Sequence, residues 1–339
     1  MEGPSTLRTG VPSGLQPAAV LELLKPVTWF PPMWAFACGV AASGVNVLEN
    51  APLIALGILL TGPMVCGMSQ AVNDWYDRHV DAINEPHRPI PSGRIPGRWG
   101  LWIAIGWTLI SLAIGAGLGP WGFAATLLAV VMAWIYSAPP LRLKKNGWWG
   151  NLACGLSYET LPWITAAAVL SAGAPDGRVV LVAVLYGLGA HGIMTLNDFK
   201  SIEGDTRFGL RSLPVILGAP RAALVASVFM AVPQAVVVAL LLAWGAPVAG
   251  LLVAAALLAQ LALMRKLLRD PRGLAPWYNG TGISLYVAGM MVSALALAPS
   301  GAGALAPSGA GALAPSGAGA LAPSVAGALA PSVAGALAP

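Results

Sequence analysis

Long apolar stretches separated by short polar segments make up most of the chain. Because hydrocarbon gives backbone groups no hydrogen-bond partner, an apolar stretch of about 17 to 25 residues predicts a membrane-spanning helix. Nine stretches meet that length, at residues 28–44, 52–72, 101–118, 121–138, 151–171, 179–196, 222–243, 246–264 and 281–298. The pattern therefore predicts an all-α integral membrane protein with nine transmembrane helices in one bundle.

Basic residues collect in every second loop of this pattern. The loops after the second, fourth, sixth and eighth stretches carry Arg78, Arg88, Arg94 and Arg98; Arg142, Lys144 and Lys145; Lys200, Arg207, Arg211 and Arg221; and Arg265, Lys266, Arg269 and Arg272. The loops between the other stretches carry only Arg178. Since lysine and arginine are enriched on the cytoplasmic side, we predict a cytoplasmic amino terminus and an outside carboxyl terminus.

Composition narrows the class of protein further. Hydrophobic residues make up 57% of the 339 residues and charged residues only 9%, whereas a soluble domain carries about a quarter charged residues. The formal charge of +5 is scattered through loops, so we predict a lipid bilayer and no nucleic acid as partner. Cys38, Cys66 and Cys154 fall in apolar stretches and are interpreted as small buried side chains.

The two ends of the chain differ from the apolar region between them. Residues 1–16 are predicted to be disordered, and they lack the pattern of a signal peptide. From Ala296 the sequence ALAPSGAG repeats with a period of eight, with valine replacing one glycine in the last copies. A proline in every copy prevents a continuous helix. We therefore predict a transmembrane domain at 17–298 and a low-complexity tail at 299–339.

Acidic residues cluster after the second and the sixth stretch. On a helix with about 100° per residue, Asn73, Asp74, Asp77 and Asp81 fall within an arc of about 100°. The segment NDFKSIEGD from Asn197 aligns with NDWYDRHVD from Asn73, with Ser201 at the position of Asp77. Asn197, Asp198 and Asp205 share the corresponding arc. We interpret the two segments, motif 1 (residues 73–81) and motif 2 (residues 197–205), as an internal duplication facing one shared cavity.

Clustered carboxylates at a low-dielectric boundary require a cation, and carboxylate and amide oxygens suit Mg²⁺ better than zinc. The predicted Mg²⁺ ligands are Asn73, Asp74, Asp77, Asp81, Asn197, Asp198 and Asp205, whose five carboxylates are the predicted catalytic residues. The predicted diphosphate contacts are Asn73, Arg88, Arg94, Tyr136, Lys144, Asn197, Lys200, Arg207 and Arg211. Such a clamp stabilises the charge of a departing diphosphate.

Ion or proton transport is an alternative, because intramembrane carboxylates often mark ion paths. A transporter usually places its charges near the bilayer midplane, whereas motifs 1 and 2 lie beside basic loops at one face. A single aspartate at a helix end is usually a cap or a solvated turn. Two matched clusters favour a diphosphate site instead.

The segments NDWYDRHVDAINEPHRPIPSGRIPG and NDFKSIEGDTRFGLRSLPVILG resemble the paired signatures of the UbiA-like intramembrane prenyltransferases. Within that superfamily, LELLKPVTWFPPMWAFACG, GPMVCGMSQAVNDWYD, YGLGAHGIMTLNDFKSIEGD and APWYNGTG are similar to the bacteriochlorophyll synthases, in the chlorophyll synthase branch. The resemblance covers about residues 17–298. Ser201 departs from it, because quinone-type relatives commonly carry an acidic residue there.

The resemblance implies nine helices around a central cavity, Mg²⁺ as cofactor, and a multi-pass location in the bacterial inner or photosynthetic membrane with the active site on the cytoplasmic side. It implies esterification of the propionate of bacteriochlorophyllide with geranylgeranyl or phytyl diphosphate, with pigment-assembly proteins as further partners. The alternatives are a quinone or haem prenyltransferase and a transporter or pigment-binding membrane protein. Glu159 and His191, the ionisable residues inside predicted spans, are candidate tetrapyrrole contacts, although a packed structural role is open for each.

Overall fold

The structure, a computed structural model, describes residues 15–299. The predictions for the amino-terminal segment and for the repetitive tail therefore lie outside the described residues, except at residues 15, 16 and 299. The described chain is helical, and its only β-type pairing is an isolated bridge between Asn146 and Arg211.

The helices follow the apolar stretches closely. They are α1 Pro17–Leu23, α2 Phe30–Ser43, α3 Ala51–Leu59, α4 Gly67–Asn84, α5 Trp99–Gly117, α6 Gly119–Ser137, α7 Gly147–Gly155, α8 Leu161–Ser171, α9 Gly177–Asn197, α10 Ile202–Arg207, α11 Leu213–Leu217, α12 Ala219–Ala243, α13 Pro247–Leu267 and α14 Pro271–Leu297. Two π-helical turns, π1 at Leu60–Cys66 and π2 at Leu156–Thr160, join α3 to α4 and α7 to α8. Many of these helices begin with a proline in the first turn, where a missing N–H costs nothing.

Within residues 15–299, seven helical runs are long and apolar enough to cross a membrane, which makes this a multi-pass membrane protein. They are Ala51–Ile83, Trp99–Gly117, Gly119–Ser137, Gly177–Arg207, Ala219–Ala243, Pro247–Leu267 and Pro271–Leu297. The predicted count of nine is not confirmed. The first predicted span forms only the 14-residue α2, and the fifth, from α7 to α8, includes the polar residues Asn151 and Glu159.

A cavity of about 450 Å³ lies inside the bundle, and we refer to it as the central cavity. Its wall is formed by residues of α2, π1, α4, α6, α7, π2, α8 and α9. On α9 the lining residues are Ala190, Ile193, Met194 and Asn197, whose spacing of three and four places them on one helix face. Both π turns face the cavity. A π turn inside an α-helix is uncommon and is frequent at functional sites.

Close packing of α7 on α9 positions part of the cavity wall. A Cβ atom added at Gly155 would lie 2.5 Å from the carbonyl oxygen of Gly187 and 3.1 Å from the amide nitrogen of His191. Only a residue without a side chain permits this approach. Asn151, one turn before Gly155 on the same face of α7, is thereby brought against the carboxyl end of α9, where motif 2 begins.

Backbone hydrogen bonds join the loop after α6 to the segment after motif 2. The amide of Gly147 donates to the carbonyl of Arg211 at 2.9 Å, and the amide of Arg211 donates to the carbonyl of Lys145 at 3.0 Å. These two bonds hold the basic segment 142–146 beside Arg211, six residues after the end of motif 2. Since residues 142–146 also contact motif 1, both motifs lie at the same end of the bundle.

Candidate active site

Motif 1 lies on the last turns of α4, and its carboxylates are held by cationic side chains. Lys25 donates to Asp74 Oδ1 at 2.6 Å. Arg88 contacts Asp74 Oδ1 at 3.4 Å and Asp81 Oδ2 at 2.9 Å, and it also pairs with Glu85. The shared arginine confirms that Asp74 and Asp81 project from one face of α4, as the helical spacing predicts.

Asp77 binds a second set of cations, from the loop after α6. Arg142 donates to Asp77 Oδ1 at 2.9 Å, and Lys144 donates to Asp77 Oδ2. Burial lowers the pKa of the Lys144 ammonium from its ordinary value, and the neighbouring Asp77 opposes this change. Since charge-assisted bonds favour phosphate as well as carboxylate, both cations are suited to transfer from Asp77 to an incoming diphosphate.

Motif 2 is held by neutral donors instead. Asn151 Nδ2 donates to Asp198 Oδ2 at 3.1 Å and to Thr195 Oγ1 at 3.2 Å. Asp205 Oδ2 accepts a hydrogen bond from Ser201 Oγ at 3.3 Å. Among residues 15–299, no lysine or arginine forms a salt bridge with Asp198 or Asp205, and the third motif 2 carboxylate, the exposed Glu203, lies 4.0 Å from Arg272. The charge distribution is therefore asymmetric, with cations at motif 1 and uncompensated carboxylates at motif 2.

Asn73 and Asn197, the first residues of the two motifs, both line the central cavity. Asn73 Nδ2 donates to Ser137 Oγ at 3.3 Å, and Asn197 Oδ1 accepts from Asn279 Nδ2 at 2.9 Å. A side-chain carbonyl has two lone pairs, so Asn197 Oδ1 retains one acceptor position. The two amides mark the end of the cavity at which motifs 1 and 2 converge.

The donor set suits a divalent cation bound through oxygen. Asp74 Oδ2 is buried and has no hydrogen-bond partner within residues 15–299, so one ligand position on motif 1 is open. Carboxylate and amide oxygens are the ligands that Mg²⁺ prefers. In the described part of the chain, however, no three His, Cys, Asp or Glu side chains converge as a metal site. Lys25, Arg88, Arg142 and Lys144 instead supply the positive charge at motif 1.

Asn151 is a positioning residue for Asp198, and its replacement by leucine is expected to lower kcat/KM about 10- to 100-fold. The physical reason is that Asp198 loses the donor that fixes its orientation. The concentration of Mg²⁺ needed for half-maximal activity is expected to rise in Asn151→Leu, which a purely structural residue would not affect. Asn50→Leu, in the loop before α3, is the matched control. A lower melting temperature with an unchanged Mg²⁺ requirement would instead assign Asn151 to packing.

The structure brings some predicted site residues to the cavity and not others. Tyr136 lines the cavity with the two motif asparagines. Arg94 contacts Glu22, at 2.5 and 2.8 Å, and the carbonyl of His87, and this bonding lowers the pKa of Glu22. Three other predicted diphosphate contacts are exposed and form no salt bridge with the described carboxylates: Lys200, Arg207 and Arg211.

His191 and Glu159, the two candidate tetrapyrrole contacts, have different surroundings. His191 stacks on Phe229 with ring centroids 4.1 Å apart and lies 5.8 Å from the ring of Trp148. It is not part of the cavity wall, because the α9 face that lines the cavity carries Ala190 and Met194 instead. Glu159, on π2, does line the cavity. The structure therefore does not bring the two candidate tetrapyrrole contacts together.

Several contacts at the site involve residues that sequence reasoning did not select. Lys25 is separated from Asp74 by 49 positions, and Asn151 and Asn279 belong to helices other than those of the motifs they contact. Asn279 lies in α14, in the segment APWYNGTG. The sequence did distinguish Lys25 in one respect, because it is the only lysine or arginine between Arg8 and Arg78.

The amino-acid sequence of this chain is similar to those of known prenyltransferases. Residues 28–280 match the model of the UbiA prenyltransferase family. The chain is 60% identical over 282 residues to the bacteriochlorophyll synthase 33 kDa chain of Cereibacter sphaeroides, covering 83% of this chain and 93% of the relative. It is 40% identical to the chloroplastic chlorophyll synthase of Arabidopsis thaliana, covering 81% of this chain and 73% of the relative.

The fold is similar to that of a UbiA homolog from Archaeoglobus fulgidus, whose structure was solved bound to GPP and Mg²⁺. The TM-score is 0.63 at 23% identity, and the match covers 81% of this chain and 99% of the homolog. The family model matches most of the chain. The alignment with the Cereibacter protein covers 93% of that protein. The chain belongs to the UbiA prenyltransferase family.

Proposed function

We propose that the protein esterifies the propionate of bacteriochlorophyllide with geranylgeranyl diphosphate or phytyl diphosphate and releases diphosphate. The observation that carries this proposal is the position of motifs 1 and 2 at one end of a largely apolar cavity. A prenyl diphosphate has the same division, a charged head on a hydrocarbon chain. The similarity to bacteriochlorophyll synthases supports the tetrapyrrole as acceptor.

Mg²⁺ would be held by Asn73, Asp74, Asp77, Asp81, Asn197, Asp198 and Asp205. When bound, it neutralises the diphosphate and stabilises the charge of the leaving group. Arg88, Arg142 and Lys144 exchange their carboxylate partners for diphosphate oxygens. Lys25 lies close enough to Asp74 to make the same exchange. The carboxylates of motif 1 thus position these cations before the prenyl diphosphate binds, and the cations then hold its diphosphate group.

In the transfer itself, the C–O bond between the allylic carbon and the diphosphate breaks, and the electron pair leaves with the diphosphate. A carboxylate oxygen of the acceptor then forms the new C–O bond. The propionate is already ionised at neutral pH, so no general base is required. The apolar lining of the central cavity excludes water, which would otherwise hydrolyse the allylic cation.

The test is an assay of the purified protein in lipid nanodiscs with geranylgeranyl diphosphate, Mg²⁺ and bacteriochlorophyllide. We expect an esterified pigment and diphosphate in equal amounts. Replacing the pigment by 4-hydroxybenzoate is expected to give no prenylated product. Prenylation of the benzoate without esterification of the pigment would contradict the proposal and would favour a quinone-type enzyme. Parallel reactions with phytyl diphosphate measure which prenyl donor is preferred.

We also propose that α2 and the run from α7 to α8 cross the membrane, which brings the number of spans to nine. This topology places motifs 1 and 2 on the cytoplasmic side of a bacterial inner membrane. At 1.5 Å per residue, α2 is about 21 Å long and Gly147–Ser171 about 37 Å. Alkaline phosphatase fused after Asn46, Pro175 or Ala298 is expected to be active, and fused after Gly93 inactive. Activity after Gly93, or inactivity after Asn46, would contradict this topology.

A further inference from the structure

Glu159 is a buried carboxyl group that faces the central cavity without a protein partner. Only 5% of the residue is exposed, and its Oε2 atom has no hydrogen-bond partner within residues 15–299. No lysine or arginine of the described chain forms a salt bridge with it. Buried polar groups are almost always hydrogen-bonded, and an unpaired carboxyl in an apolar setting is costly.

Two neighbouring polar side chains on the same turn, Tyr158 and Thr160, are hydrogen-bonded within the protein. Tyr158 Oη accepts from Gln70 Nε2 at 3.0 Å and from the Cys66 thiol at 3.3 Å. Thr160 Oγ1 donates to the carbonyl of Ala183 at 2.9 Å. Glu159, by contrast, has a fully buried oxygen atom without a hydrogen-bond partner within residues 15–299. Because it is aimed into a cavity, a bound molecule is the natural source of its missing partner.

The depth of Glu159 excludes the charged head of the prenyl donor as that partner. Asn151, which contacts Asp198, precedes Glu159 by eight positions, or about 12 Å along the helix that continues from α7 into π2. Both side chains tilt toward the amino end of that helix, so the tilt does not close the gap between Glu159 and motif 2. A diphosphate held by motifs 1 and 2 therefore remains out of reach of Glu159.

The hydrocarbon chain of the donor carries no hydrogen-bonding atom, so the partner must belong to the acceptor. The macrocycle of a tetrapyrrole is flat and about as wide as the distance between motif 2 and Glu159. Its reactive propionate lies on one edge, and carbonyl oxygens lie on other edges. With the propionate near the allylic carbon, an opposite edge reaches into the cavity toward π2. A protonated carboxyl both donates and accepts, which suits a carbonyl oxygen on that edge.

We infer that Glu159 is a specificity-determining residue of the acceptor site, where it hydrogen-bonds a peripheral carbonyl oxygen of the tetrapyrrole macrocycle. The inference rests on the proposed esterification of bacteriochlorophyllide. It also separates the two candidate tetrapyrrole contacts: Glu159 belongs to the acceptor site, and His191, which does not line the central cavity, does not.

The test compares Glu159→Met, Glu159→Gln and Thr160→Val in nanodiscs, with KM measured separately for the two substrates. Methionine keeps the unbranched shape and removes the hydrogen bond, so the KM for bacteriochlorophyllide is expected to rise about tenfold or more. The KM for geranylgeranyl diphosphate is expected to stay within about twofold. Glutamine keeps a donor and an acceptor, so Glu159→Gln is expected to remain within about threefold for both substrates.

Melting temperature distinguishes a substrate contact from a structural residue. Removing an unpaired buried carboxyl leaves nothing unsatisfied, so Glu159→Met is expected to melt at the wild-type temperature or above it. Thr160→Val, whose hydroxyl bonds the protein, is expected to melt at a lower temperature with both KM values unchanged. A higher KM for the prenyl donor, or an unchanged KM for the pigment in Glu159→Met, would overturn the inference. Wild-type protein that does not esterify the pigment at all would instead overturn the proposed function.

Discussion

Replacing Asp74 or Asp198 by alanine is expected to lower kcat at least about a thousandfold while the protein still folds in the membrane. Each substitution removes one carboxylate from a different motif, and in the proposed mechanism both motifs together hold one metal-bound diphosphate. The measurement is the rate of pigment esterification by purified variants at saturating substrate. Circular dichroism and gel filtration in detergent monitor folding.

Glu203 provides a matched control for this experiment. It lies between Asp198 and Asp205 in the sequence, but its side chain is 93% exposed and its pairing with Arg272 is at 4.0 Å. Glu203→Ala is therefore expected to retain wild-type activity within about twofold. Near-normal activity in Asp74→Ala or Asp198→Ala would refute the assignment of catalysis to the two motifs.

Removal of Mg²⁺ by a chelator is expected to stop turnover without unfolding the protein, and added Mg²⁺ is expected to restore it. In many metal sites, loss of the ion leaves carboxylates repelling one another. Here Lys25, Arg88, Arg142 and Lys144 already compensate motif 1, so the fold does not depend on the ion. Esterification is measured alongside the melting temperature, with and without excess EDTA.

Two results would contradict this prediction. Full activity in excess EDTA would show that the basic side chains alone activate the diphosphate. A large fall in melting temperature after chelation would show that the metal is structural. Calcium, which prefers more ligands and longer distances, serves as the comparison ion and is expected to restore little activity.

The helical spacing of polar residues in motif 1 predicted which of its side chains lie on one face. The spacing of Asp74 and Asp81 places both on one face of α4, and the structure has both bound to Arg88. The alignment of the two motifs predicts one shared cavity, and Asn73 and Asn197 both line it. Helical repeats make such predictions possible because they depend only on neighbouring positions.

Contacts between distant segments were not predictable in the same way. Lys25 reaches motif 1 from the segment after α1, and Asn151 reaches motif 2 from α7. The isolation of Lys25 in the sequence marks it as unusual but does not identify its partner. The side of α9 that faces the cavity was equally undetermined, because α9 is apolar almost all around. His191 was consequently selected along with Glu159, although it does not line the cavity and packs against Phe229 instead.

The asymmetry between the motifs also emerges only from the three-dimensional contacts. Ser201 occupies the position that corresponds to Asp77 and donates a hydrogen bond to Asp205. Asp77, by contrast, receives two cations from one loop. In the proposed mechanism, the first motif therefore holds cations that can bind the diphosphate, while Asp198 and Asp205 of the second motif, which have no salt-bridge partner within residues 15–299, can bind a metal.

The most direct test of this account is a cryo-electron microscopy structure with Mg²⁺ and geranylgeranyl S-thiolodiphosphate, a donor whose carbon–sulfur bond resists cleavage. We predict a single diphosphate between motifs 1 and 2, with carboxylate oxygens of Asp74 and Asp198 each about 2.1 Å from a Mg²⁺ ion on it. The prenyl chain is predicted to extend into the central cavity. A diphosphate bound by one motif alone, or a chain lying outside the cavity, would contradict the account.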